Sequence, residues 1–421
     1  MDQEGWRRVP GYERAPVTGI SYQIIGKRAD VWPVAAMLSR KLPEPCAISV
    51  ALEPSENAGA AAIPVSEPIL AEMGIGVRDL ADAGARFALG YSLENFANDN
   101  ASVIVAPSGD LPAIAGLPFN QILHRVVEQA KALDRFAEVY AGFRLCARAA
   151  AQGLVALPDD APDSPLAMLG PLAVIERERL ANLFEGLVPV GRVGFDTDAS
   201  ADFTIDLRPC ERSEEATTLP WLAGRHIVAD LTSAPLPLYR SLPAGGSDAF
   251  ALAEPWQTNR IRLGPASARI GPLFCADTRL FLRQVAHLME CLPAGKEAPA
   301  EARRFNRLHS QAVQRLYEFC AAPIVLGRAE GGEGDIPEGL TLRIQQFRSR
   351  GGMPELEADL VDRQTWIDLL VSFGIVPQRH DRRADSFDPR QLDRALGAIR
   401  GDLEKALANM PSQNVFMQRF E

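Results

Sequence analysis

The sequence predicts a multi-lobed α+β protein: an N-terminal α/β lobe ending in a long helix, a central β-rich module and a helical C-terminal lobe. Three observations carry this reading. Strand-like and helix-like stretches alternate in the first hundred residues. Short segments of alternating hydrophobicity, separated by turn residues, fill roughly 188–275. Apolar residues at helical spacing dominate from 276 onward. A chain of 421 residues also exceeds what one compact core usually serves. The expected divisions are 1–156, 166–275 and 276–421.

Each element has its own warrant. "TGISYQIIG" alternates Ile20, Tyr22 and Ile24, which suits a strand. "ADVWPVAAMLSRKL" follows as a helix with Pro33 expected in its first turn, where a missing N–H is harmless. "CAISVAL" is a second strand. Residues 119–151 form the longest helical pattern, with Phe119, Ile122, Leu123, Val126, Leu133, Phe136 and Tyr140 on one face, so a single spine-like helix is expected. "LPDDAPDSP" then breaks the pattern, because its prolines and aspartates leave no apolar face. A helix is expected around 174–186. Asp277 or Thr278 is expected to cap a helix through Glu290, and another helix covers 298–320. Asp388-Pro389 starts a last helix whose Leu392, Leu396, Leu403 and Met410 have near-heptad spacing.

Composition excludes several classes. Hydrophobic residues make up 47% and charged residues 23%, the balance of an ordinary globular chain. The net charge of −10 argues against nucleic acid and against an anionic membrane as partners. No run of about 18 apolar residues is present, so no membrane-spanning helix is expected. "MDQEGWRRVPGYERAP" lacks the apolar core of a secretion signal, so a cytoplasmic location is expected. Gly26-Lys27 follows the first strand, but Arg28 comes next, so no phosphate-cradling loop is read there. No cofactor is expected.

"GFDTDASADF" is the strongest chemical lead. Asp196, Asp198 and Asp202 alternate around Ser200, as oxygen ligands of a hard cation do, but Ala201 replaces the glycine of a calcium loop and no distal Glu follows. The strand-end D-x-D of Asp196 and Asp198 also resembles that of haloacid-dehalogenase-like phosphatases, whose first Asp attacks phosphorus. The other motifs of that family have no counterpart here. A polar turn between two strands is the preferred reading, with no metal. Arg303, Arg304 and Arg307, with Arg315 and with Arg279 and Arg283 on the helix before, could face an anionic ligand, although a salt-bridged surface is preferred. His124 and His309 read as surface or half-buried helix residues, and His380 as part of a solvated charged loop. Cys275 lies near a helix start, where a thiol can be activated, but an inert thiol is preferred.

With no catalytic constellation, the leading expectation is a non-catalytic scaffold or assembly subunit. Its partners would be other protein chains, or a second copy through the C-terminal helix. The alternative is a metal-dependent phosphoester-processing enzyme or a nucleotide sensor built on the 196–202 loop. Six cysteines without paired spacing predict free thiols. Alkylation of the unfolded chain without reductant should therefore add six labels; fewer labels, restored by reductant, would reveal a disulfide.

Overall fold

In the computed structural model the described residues are 19–420 except 44–45, 55–58, 97–101, 108–110, 112, 115, 162–163, 197–199, 211–215, 224–225, 234, 243–247, 328–335, 355 and 357. Helices and sheets mix throughout, so the α+β class holds. Strand β1 (Ser21–Lys27) runs straight into helix α1 (Arg28–Lys41), and β2 (Ala47–Glu53) returns parallel to β1. Ile24 of β1 pairs with Val50 on one side and with Ile205 on the other.

The sheet around β1 has six strands, in the order 256–257, 260–262, 203–206, β1, β2, 193–195. All its pairings are parallel except that between the first two. Strands from 193 onward, on the far side of "LPDDAPDSP", therefore complete a sheet begun at residue 21. Among the described residues the remaining strands form three smaller sheets. Ala60–Pro64 and Arg86–Ala88 flank Leu172–Glu176 in one of them.

Helix α1 is buried from Ala29 to Ser39. Gly26 precedes it, where a Cβ would lie 2.7 Å from the Cβ of Leu207. The helix begins earlier than its sequence implies, so Pro33 sits beyond the first turn and removes one backbone bond from the helix interior.

The expected single helix over 119–151 is three: Phe119–Gln129, Phe136–Ala141 and Leu145–Ala151. Lys131 adopts φ +55°, and a short 3-10 turn over Leu133–Arg135 re-aims the chain. The apolar spacing persists across these breaks because all three pieces bury residues in the same core. The helix expected from 174 starts at Arg177, since Leu172–Glu176 is a strand. Asp277 does not cap its own helix, Ala276–Glu290. Its carboxylate instead accepts hydrogen bonds from the Ile270 and Gly271 amides, at 2.6 and 3.0 Å. The helix of 298–320 runs Pro299–Leu326. Asp388 caps Pro389–Asn409 by accepting from the Arg390 amide, and Leu396, Leu403 and Leu407 of that helix lie in the main core. None of the six cysteines is in a disulfide. No helix among the described residues is long and apolar enough to cross a membrane.

His309, on helix Pro299–Leu326, is fully buried. Its Nδ1 accepts from the Gln284 amide at 2.9 Å, and its Nε2 donates to the Leu252 carbonyl at 3.0 Å. A second ring proton would face a donor in a dry site. Burial thus pushes its pKa from the ordinary 6.5 to about 4. Between those values the unfolded chain holds more protons than the folded one, so stability falls as pH falls through this window. The shift corresponds to on the order of 3 kcal/mol. Asp368 acts in the opposite sense: burial raises it to about 6 against the opposing pull of Arg144, and its contribution is lost as pH rises through that value. The readout is therefore a difference. Denaturant midpoints of His309→Gln should drop less than those of the parent between pH 7 and pH 4; parallel curves would show that His309 titrates normally.

Candidate functional site

Two cavities open at the two ends of the strand Ala60–Pro64. The first, about 600 Å³, lies between Gly59–Ala60, Glu176–Arg177, Ala229–Thr232 and the start of helix Ala276–Glu290. The second, about 410 Å³, is walled by Ser66, Glu67, Tyr91, Arg279, Arg283, Phe319 and Thr365, among others.

The wall between them is built with strain. Phe274 and Cys275 are consecutive non-glycine residues at φ +54° and +53°. Each such residue costs of order 1–3 kcal/mol, which the surroundings must offset. The Ala62 amide donates to the Cys275 sulfur at 3.0 Å, and Tyr239 Oη lies 3.3 Å from it. Phe274 packs on Phe319 and Tyr91, with ring centroids 4.7 and 5.2 Å apart. Burial pushes the Cys275 thiol pKa up, so the helix start does not activate it.

The second cavity gathers the more reactive set. Glu67 is buried, and burial raises its carboxyl pKa although Arg279 and Arg283 pull it down. The Tyr91 hydroxyl is buried with no hydrogen-bond partner among the described residues. Arg279 is fixed by donating to the Leu360 carbonyl. A protonatable carboxyl, two cations and an unsatisfied hydroxyl thus meet beside the aromatic face of Phe319. Converging polar groups of perturbed pKa in a largely apolar cleft mark a binding or catalytic site.

The residues singled out in the sequence lie elsewhere. Asp196 is exposed just after the strand Val193–Phe195, and Asp198 lies outside the described residues. Asp202 accepts from the Ser21 amide and hydroxyl, both at 3.0 Å, and pairs with Lys296 at 2.7 Å. These bonds hold its pKa below the usual carboxylate range. It ties the start of β1 to the start of its neighbouring strand Phe203–Asp206 inside the main sheet. Arg303, Arg304 and Arg307 are exposed, and Arg304 pairs with Glu290 at 3.2 Å. Of the arginines read as one strip, only Arg279 and Arg283 reach a cavity. Glu67 went unnoticed because "VSEPIL" offers no motif; its role comes from burial.

Nearly the whole chain superposes on solved enzymes. BrvH, a flavin-dependent halogenase from Brevundimonas sp. BAL3, matches with a TM-score of 0.80 and 16% identity, over 96% of this chain and all of that one. The fold is that of the flavin-dependent halogenases. Xcc4156, a flavin-dependent halogenase from Xanthomonas campestris, gives a TM-score of 0.77 at 16% identity, over 96% of this chain and 98% of its own. A tryptophan halogenase from Shewanella frigidimarina gives 0.71 at 12%, over 96% and 97%. The tryptophan halogenase family model matches residues 213–389. No curated protein matches by sequence. These matches overturn the scaffold expectation, since BrvH, Xcc4156 and the Shewanella protein are named as halogenases and the family model that matches is that of the tryptophan halogenases.

The fold family implies a flavin, and the β1–α1 turn tests that implication. A dinucleotide site of this topology needs G-x-G-x-x-G, which lets the pyrophosphate approach the backbone at the helix N-terminus. Here Gly26 is followed by Arg28 and Val31 at the second and third glycine positions. Arg28 reaches Asn182, Glu185 and Glu178, the last at 3.5 Å. Val31 is fully buried. The first turn already carries a buried anion, Asp30, bonded to Arg177. Glu53 does end β2, where such folds place an acidic ribose ligand. The pyrophosphate position is nonetheless filled by side chains and by negative charge, so the residues present do not fit a flavin dinucleotide at this turn. Purified chain mixed with excess FAD and desalted should retain no stoichiometric flavin. A yellow complex with micromolar affinity would overturn this reading.

Proposed function

We propose that the chain is an enzyme that acts on an aromatic carboxylate held in the cavity of Glu67, Tyr91, Arg279 and Arg283. The observation that carries the proposal is a buried, protonatable carboxyl facing two arginines. Arg283 and Arg279 supply charge-assisted bonds to the substrate anion. Phe319, Val361 and Leu169 accept its ring. Glu67, with its raised pKa, gives and takes a proton at the bound molecule as a general acid and base. Tyr91 donates its unused hydroxyl proton to a substrate oxygen. The ligand class agrees with the tryptophan named for several proteins of this fold.

Halogenation by a bound flavin is a second reading, supported by the 96% coverage of halogenase structures and opposed by the filled β1–α1 turn. It shares the same substrate class, so ligand binding is tested first. Calorimetry with L-tryptophan and indole-3-carboxylate should show binding that Arg283→Met weakens about tenfold or more. A neutral Glu67 repels a carboxylate ligand less than an ionised one. Affinity should therefore rise as pH falls, and Glu67→Gln should bind tightly throughout. Absence of binding at millimolar ligand, or an Arg283→Met variant equal to the parent, would sink the proposal.

A further inference from the structure

Away from both cavities, helix Phe119–Gln129 meets the segment 377–386 at an unassigned cluster. His124, Glu128 and His380 place ligand-capable atoms within 4.8 Å of one another. Glu128 Oε2 lies 2.9 Å from His380 Nδ1 and 3.9 Å from His124 Nδ1. A tetrahedral ion with bonds near 2.0 Å needs its ligand atoms about 3.3 Å apart, a value these two distances bracket.

The other ring nitrogens are already occupied. His124 Nε2 donates to the Pro377 carbonyl at 2.7 Å, and His380 Nε2 lies 2.8 Å from Asp385 Oδ1. Metal-bound histidines are oriented in this way, through a carbonyl or carboxylate on the distal nitrogen. Both rings therefore turn Nδ1 toward the common point. His124 is almost wholly buried, yet its Nδ1 has no hydrogen-bond partner among the described residues. Leaving such an atom unsatisfied costs on the order of 1–3 kcal/mol, which a ligand would recover. Arg125 lies 3.7 Å from Asp385 Oδ1, the oxygen that His380 Nε2 meets, and donates to the Ala384 carbonyl.

We propose that His124, Glu128 and His380 form a site for a divalent transition-metal ion of the zinc class, with Asp385 and the Pro377 carbonyl as positioning groups. Nitrogen and carboxylate donors select zinc, cobalt or nickel over calcium or magnesium. Three protein ligands leave one position for water. The ion would staple the 377–386 segment to helix Phe119–Gln129.

Equilibrium dialysis of the full chain against micromolar zinc, after chelator treatment, should yield one bound equivalent. Cobalt loading should give a visible spectrum without a thiolate charge-transfer band, which separates this site from Cys46 and Cys210. His380→Ala and Glu128→Gln change partly exposed residues and should abolish the equivalent while far-ultraviolet circular dichroism stays unchanged. Asp385→Asn should weaken zinc about 10- to 100-fold. No uptake by the parent chain, a thiolate band, or undiminished uptake by His380→Ala would overturn the site. The first outcome would leave His380 as a plain ion-pair partner of Glu128 and Asp385.

Discussion

Helix α1 is enclosed by protein along most of its length, so the polar groups at its start must be neutralised from within. Asp30 is the group at issue. Burial raises its pKa, and the Arg177 guanidinium opposes that rise. Arg177 in turn opens the helix Arg177–Gly186, whose outer side chains hold Arg28. One ion pair thus joins the first turns of two helices that pack together over the main sheet. Breaking a buried pair by removing one partner typically costs about 3–5 kcal/mol, because a lone charge remains. Arg177 also borders the larger cavity, so the clamp fixes one of its walls.

The other constraint is the left-handed pair Phe274–Cys275. Two side chains that rarely adopt this backbone are held there by an aromatic stack and by the Ala62 amide. Their placement aims the next two turns of helix at the second cavity, with Arg279 and Arg283 one turn apart on the same face. A wall that shares its aromatic residues with the site couples packing to ligand geometry. Phe319, for instance, touches both Phe274 and Trp366 while lining the cavity.

Much of the local structure was legible in the residues. The alternation of β1, the Asp388-Pro389 start and the leucine face behind it are local signals, and all three stand. The breaks inside 119–151 were not legible, because a positive φ at Lys131 leaves no mark in hydrophobic spacing. Strand order was hidden too, since the partners of β1 lie far along the chain. The acidic run of 196–202 attracted notice by density of charge, whereas Glu67 acts singly and through burial. His124 and Glu128 are four apart on one helix, a spacing visible in the sequence. His380 joins them only in space, 252 residues beyond Glu128. Gly26-Lys27-Arg28 carries no phosphate-loop pattern in the sequence. What it could not reveal was a halogenase fold in which that turn is filled with side chains.

The strand order also shapes how the chain comes together during synthesis. β1 leaves the ribosome well before its later partners, so one of its two edges stays open until residues 203–206 arrive, and the strand beyond waits for 260–262. At about 5–20 residues per second, that interval lasts on the order of ten seconds or more. Throughout it, an apolar, twisted pair of parallel strands exposes a free edge, the kind of surface that recruits unwanted neighbours. Helix α1, available at once, shields a face of the pair but cannot satisfy its edge. Nascent chains of this protein are therefore expected to lean on holdase chaperones during that interval, and to do so less once the stretch around 260 has emerged.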